Sequence, residues 1–280
     1  IKNINPATRL SFLPYFSTYV NNYDGKTTTN INGGMDVKYG INEAFTLDTT
    51  LIPDFGQTSF DPTVLNLTPF EQQYQEQRSF FTEGTELFSK GNMFYSRRVG
   101  GAPSYYPNVN NDETVTEYPG KVKLLNATKI SGRTKKGLGI GVFNGITEKM
   151  NATIKNEVTG ETRQEMVEPA ANYNVIVLDQ RFRENSSITF VNTNTMRTGN
   201  AKDANASAFL YDITNKKNTF NFSGGMKGSW NSDENSKLGL NTFRRSNLES
   251  ISLPPNIEYT ENNGIDSTFP KDIEIHIRND

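Results

Sequence analysis

Six carboxylates and three guanidinium groups gather in one polar part of the chain: Asp54, Asp61, Glu71, Glu76, Glu83 and Glu86, with Arg78, Arg97 and Arg98. Two carboxyl groups flanking a sugar could act as acid and nucleophile in glycoside hydrolysis. The same oxygens could cage a hard cation such as Ca²⁺. Their irregular spacing is a weak signature of either chemistry. Arginine pairs bidentately with carboxylates, so the reading that fits best is an ion-paired network pinning an inserted segment to polar walls. On that reading Asp54, Gln57, Asp61, Glu71, Glu76, Arg78, Glu83, Arg97 and Arg98 form the network, with no catalytic, cofactor or metal residue among them. The balance falls against an enzyme.

Other chemistry has little to work with. His276 is the only histidine and there is no cysteine. Thiolate zinc sites and disulfides are therefore excluded, and a Ser–His–Asp triad could run only through His276, which reads better as a surface or lumen residue. The 29 basic and 31 acidic residues leave a net charge of −2, so no basic excess points to nucleic acid. Asn-X-Ser/Thr recurs at Asn66, Asn126, Asn151, Asn185, Asn205 and Asn221, as expected by chance in an Asn-rich chain. Hydrophobic residues make up only 34 % of the 280, which is thin for a large buried core.

The elements that must position these groups have a period of two. Ile31, Met35, Val37, Tyr39 and Ile41 alternate with polar residues, as do Phe45, Leu47 and Leu51. The clearest run sets Phe220, Phe222, Met226 and Trp230 against Asn221, Ser223, Lys227 and Ser229. Each reads as a strand with one apolar and one polar face. Further strands are predicted at 10–20, 121–133, 137–147, 173–183, 187–197, 204–214 and 237–245, with another apolar alternation at Ile273, Ile275 and Ile277. Several are near the ~9–11 residues of a tilted membrane strand. Tight turns at 40–43, 133–136, 184–186 and 215–218 alternate with longer polar connections at 21–30, 53–120, 148–172, 198–203 and 231–236. Transmembrane barrels alternate in this way. Residues 246–270 read as loop.

Segment 53–90 differs from its surroundings. Thr68-Pro69-Phe70-Glu71 has capping-box spacing with Pro at the first helical position, predicting a short helix over 68–78. Residues 91–99 read as one more strand, which would disturb the alternation of connections unless it pairs or does not span. Gly137, Gly139 and Gly141 strip one face of side chains, so another element could approach closely. Trp230, Tyr15, Tyr19, Tyr39, Tyr173 and Tyr211 could form an interfacial girdle. A soluble β-sandwich would show the same period with its apolar faces inward; strand length and connection pattern favour the barrel.

One stretch resembles a known family. Pro53-Asp54-Phe55-Gly56-Gln57, Asp61-Pro62, Asn66-Leu67-Thr68, Phe70-Glu71, Glu76, Arg78, Phe80-Phe81, Glu83-Gly84 and Arg97-Arg98 resemble the start of the barrel region in the DUF5916 family, and Leu125 to Gly132 resembles its next strand. Gln75-Glu76-Gln77-Arg78-Ser79-Phe80-Phe81 departs from the family's Pro-Glu-Lys-Arg-Pro-Phe-Phe. The resemblance implies an outer-membrane barrel of Bacteroidota type, often preceded by a family 9-like carbohydrate-binding domain, of which this chain would be the first part. The expected fold is thus all-β: an antiparallel up-and-down transmembrane β-barrel, incomplete as it stands, forming one region over 1–280 with a plug-like helical insertion at 53–90. The expected partners are the lipid bilayer of the bacterial outer membrane and a saccharide or polymer. A channel, transporter component or anchor is the first functional reading; a surface glycoside hydrolase and a soluble carbohydrate-binding module are the alternatives.

Overall fold

A computed structural model describes residues 9–23, 26–53, 65, 67, 72–183, 185–232 and 239–247. Period-two alternation produces strands throughout. They are β1 (Leu10–Tyr23), β2 (Lys26–Gly40), β3 (Phe45–Leu51), β4 (Glu113–Glu117), β5 (Leu124–Arg133), β6 (Leu138–Thr147), β7 (Met150–Asn156), β8 (Thr162–Glu168), β9 (Ala171–Phe182), β10 (Ser186–Arg197), β11 (Ala204–Thr214), β12 (Asn221–Asn231) and β13 (Gly239–Asn247). Ten of them form one sheet in the order β1-β2-β3-β5-β6-β9-β10-β11-β12-β13, each pair antiparallel. This is an up-and-down meander, and it contains every strand expected between residues 10 and 245 except the one at 91–99. It is an open sheet: among the described residues β1 and β13 are its edges and no barrel closes.

Three expectations need correction. Residues 21–30 are not a loop, because β1 and β2 run on through them until Tyr23 faces Lys26. Residues 148–172 and the end of 53–120 hold strands β4, β7 and β8, which pair as a second, three-stranded sheet. Its small core is Ala152, Ile154 and Val167, all fully buried. Its outer surface is clamped by Arg163, which reaches Glu113 at 2.9 Å and Glu165 at 2.6 Å. Residues 91–99 are not a strand but two 3₁₀ turns at Lys90–Asn92 and Ser96–Arg98, with Gly91 and Asn92 at positive φ.

The predicted helix is also displaced. Residues 68–71 lie outside the described residues, and 72–78 are irregular. Two short helices follow instead, α1 (Ser79–Thr82) and α2 (Thr85–Phe88). Local bonds explain the delay. The Glu76 carboxylate accepts the backbone N–H groups of Gln77 and Arg78, and the Tyr95 hydroxyl accepts that of Tyr74. Those donors are then spent outside any helical ladder, which is how side-chain acceptors displace helix.

Segment 72–102 covers one face of the large sheet. Phe143 is 2 % exposed and projects from β6 into a ring of Phe80, Phe81, Phe88 and Phe94, with centroids 5.0–6.5 Å away. Val175, Val177, Val191 and Ala208 complete this core from β9, β10 and β11. Glycines make the space. A Cβ at Gly141 would lie 3.2 Å from Leu87 and 3.3 Å from the Phe88 ring, and one at Gly139 2.8 Å from Leu87. The side-chain-free face expected at these positions is therefore where α2 docks. Gly137, the third of that run, instead occupies a turn at φ +88°.

The other face is apolar, and among the described residues no element covers it. The register aligns Ile140, Leu178, Phe190, Phe209 and Met226 in one row, and Leu178, Phe190, Phe209 and Met226 are each between 40 and 46 % exposed. On β1, Leu10, Phe12, Phe16 and Val20 are more exposed still. Beside these rows runs a polar band of Thr49, Thr128, Asn144, Asn174 and Asn205. Its members bond sideways, Thr49 to Thr128 at 3.2 Å and Asn144 to Asn174 at 2.8 Å, and Asn205 accepts from Asn192 of the adjacent row at 3.1 Å. Connections 41–44, 134–137, 183–185 and 215–220 lie at one end of the sheet. The longer connections that follow β3, β6, β10 and β12 leave from the other end, so the second sheet grows from the long-connection end.

A branched side chain at Gly141 must displace α2. Gly141→Val is expected to destabilise the chain by about 1–3 kcal/mol, the usual cost of overpacking, and to expose 79–92 to limited proteolysis while 138–147 stays protected.

Candidate functional site

The polar groups of segment 72–102 form two connected arrangements, one inside the segment and one between it and the sheet. Inside it, Arg78 is 6 % exposed and its fork is fully occupied. Nε and Nη2 donate to the two Glu76 oxygens at 2.8 and 2.7 Å, Nη1 donates to the Val99 carbonyl at 2.6 Å, and Nη2 also donates to that of Ser96 at 2.7 Å. The guanidinium lies 4.2 Å from the centre of the Phe81 ring. The Ser96 hydroxyl donates to Glu76 at 2.6 Å. Arg78 thus holds residues 96–99 in turns by taking carbonyls that a strand would have needed. Burial, the largest single influence, pushes the Glu76 carboxyl up. The Arg78 hydrogen bonds and charge, the Ser96 hydroxyl and the Arg78 backbone N–H outweigh it and hold the carboxyl at about 2, against an ordinary 4.5.

Between segment and sheet, two clusters meet the cover from below. Lys38 bonds Glu83 and lies 3.8 Å from Asp48. Lys129, 3 % exposed, donates to the carbonyls of Phe80 and Glu83 and lies 4.6 Å from the centre of the Phe80 ring. The Lys38 hydrogen bond holds Glu83 below the usual carboxylate range, against a smaller opposing effect of burial. At the short-connection end, fully buried Asp179 accepts from Thr189 at 2.6 Å and from Arg133, with Lys90 3.6 Å away. Arg133 reaches up to Glu86 at 2.9 Å, and Arg181 joins the same carboxylate. Lys227 on β12 donates to the Gly91 carbonyl at 2.7 Å.

The sequence-predicted residues divide accordingly. Glu76 and Arg78 are brought together; Glu83 bonds the sheet. Arg97 and Arg98 lie further along the segment and line a cavity of about 980 Å³ at the long-connection end. Asp54, Gln57, Asp61 and Glu71 lie outside the described residues, as does His276. Sequence reasoning missed Lys38, Asp48, Lys129, Arg133 and Asp179. Their signal was present, since each is a charge in an alternating strand, as in Val175, Val177, Asp179. What it lacked was the partner, 45 or more residues away in most cases. Among the described residues no three histidines or carboxylates converge as a metal site would require.

The family match now has a structure beneath it. The chain matches the domain of unknown function DUF5916 across residues 6–262. The chain belongs to the DUF5916 family. No curated protein and no solved structure matches it. In this DUF5916 chain Glu76 is held ionised by donors on both oxygens, so it has no proton to give near neutrality. What the arrangement can do is orient and anchor the cover on the sheet.

The two carboxylates should respond differently to neutralisation. Glu76→Gln leaves buried Arg78 without its counter-charge and is expected to cost about 3–5 kcal/mol. Glu83→Gln loses an exposed pair and should cost below about 1 kcal/mol; denaturant midpoints of the two variants check both values. The Glu76 contribution also sets a pH window. Its folded value lies below its ordinary one, so its contribution is complete above pH 4.5 and disappears as pH falls toward about 2. Stability measured across that interval should fall less steeply in Glu76→Gln than in the parent chain.

Proposed function

We propose that this chain is part of the wall of an outer-membrane β-barrel, with segment 72–102 as a plug against its inner face, serving as a channel, transporter component or anchor that handles saccharide or polymer at the cell surface. The observation that carries the membrane reading is the open face. Phe190, Phe209 and Met226 lie on the face opposite the cover and are 40–46 % exposed. A soluble sandwich buries such rows between two sheets, whereas a membrane barrel turns them to lipid and keeps its polar positions inside. The covered face carries Lys38, Asp48, Lys129, Arg133 and Asp179, as an inner wall does. On this reading the Asn and Thr band marks one edge of the apolar zone, and its side-to-side bonds limit the cost of amides near hydrocarbon. The part played by saccharide is supported by the companion carbohydrate-binding domain that the family resemblance implies. A hydrolase built on Glu76 is disfavoured by its paired, ionised state.

The membrane reading is tested at the apolar row. Phe190→Arg and Phe209→Arg should each cost about 2–4 kcal/mol if these positions lie near the bilayer midplane. Both should remove the heat-modifiable, detergent-extracted form on gels. A parent chain recovered as a monomer in plain buffer, or variants that assemble in membrane as well as the parent, would overturn the proposal.

A further inference from the structure

The cavity of about 980 Å³ at the long-connection end is not filled by the cover. We infer that it is a binding site for an acidic oligosaccharide, entered from the long-connection side. This deepens the proposed function by naming its substrate class, though the site exists whether or not the sheet faces lipid.

Three features of the lining select that chemistry. The first is size. About 980 Å³ is at the top of the range for ligand pockets, room for several linked rings rather than one small ion. The second is the mixture of surfaces. Tyr74, Tyr95 and Tyr173 contribute half-buried rings, beside the exposed amide of Gln72. Sugar rings present C–H faces that pack on aromatic rings, and hydroxyls that pair with planar side-chain donors and acceptors. An apolar ligand would leave the polar groups unpaired.

The third feature is charge. Lys121 and Arg197 line the cavity, and neither forms an ion pair with a described carboxylate. Arg197 donates through Nη1 to the Lys202 carbonyl at 2.6 Å, which fixes its stem at the start of connection 198–203. The one described acidic side chain in the lining, Glu168, is 4 % exposed and accepts the Ser104 backbone N–H at 2.6 Å. Its charge is thus turned to the protein. A ligand carrying carboxylates on a hydroxyl-rich backbone matches this lining. A neutral glycan would leave the two cations unanswered, and an acidic peptide would leave the tyrosine faces without ring partners.

The test uses the full chain as extracted, with calorimetric titration of a galacturonic acid hexamer, of cellohexaose as the neutral glycan and of hexaglutamate as the acidic peptide. The galacturonate hexamer should bind with a Kd below about 1 mM, at least about tenfold tighter than either control. Lys121→Ala and Arg197→Ala should each weaken it by about tenfold, and added salt should weaken it further. Lys121 is exposed, so its variant keeps the fold even if the Arg197 variant does not. Absence of galacturonate binding, equal binding of either control, or unchanged affinity in Lys121→Ala would overturn the inference. Binding is read apart from membrane assembly: a chain that binds galacturonate yet is soluble in plain buffer would sink the membrane proposal alone, and one that assembles yet binds nothing would sink only this inference.

Discussion

A ten-stranded sheet has two faces, and among the described residues only one of them carries covering structure. That asymmetry governs the rest. The cover is held by a single apolar knot in which Phe143 receives four phenylalanine rings from segment 72–102. Burying one phenylalanine contributes roughly 1.5–3 kcal/mol, so five rings outweigh any one polar contact nearby. The knot can form only where β6 has no side chains on either side of Phe143, and Gly141 and Gly145 flank it on that face. The glycines weaken the strand locally. They are tolerated because the residues they omit would occupy the place of the cover.

The charges around this knot specify geometry more than they add stability. Desolvating an ion pair offsets most of its attraction, and Arg78 with Glu76 is such a pair. Its effect is to select one conformation. Arg78 reaches Ser96 and Val99, 18 and 21 residues away, and converts a potential strand into turns. Asp179 with Arg133, and Lys129 beneath Phe80 and Glu83, fix where α1 and α2 rest along the strands. Apolar packing alone would let a short helix slide along a smooth wall. Directional donors placed on both sides of the glycine groove prevent that.

The sheet was largely legible in the sequence because one physical rule generates it. Strand residues alternate between faces, and each face has one polarity, so runs such as 204–214 and 220–230 could be located without knowledge of their neighbours. The rule failed where strands lack that contrast. Glu113–Glu117 is polar on both sides, and Thr162–Glu168 buries only its last two residues. Met150, Ala152 and Ile154 do alternate, but over a run too short to separate from loop. The cover was legible in composition but not in conformation. Capping-box spacing at 68–71 reports a local preference, whereas residues 72–99 obey contacts made by Arg78, Tyr95 and the sheet. The networks were half visible: Glu76, Arg78 and Glu83 were marked as charged partners. Arg133 and Asp179 read as ordinary strand residues until the register set Arg133 opposite Gly139, and Gly139 opposite Asp179.

The position of the open cavity follows from the same topology. An up-and-down meander sends alternate connections to opposite ends, so long insertions accumulate at one end only. Here the cover, the three-stranded sheet and connection 198–203 all belong to that end in sequence. The cover then travels along the wall to reach the glycine groove, because Leu87 and Phe88 must lie over Gly139 and Gly141 near the short turns. Having moved inward, it cannot also fill the space beneath the long connections. Residues 93–102 form the floor of that space, Arg197 ends β10 at its rim and Lys121 comes from the connection before β5. The knot that secures the cover is thus what leaves the cavity open, and displacing α2 from its groove would move the floor of the cavity with it.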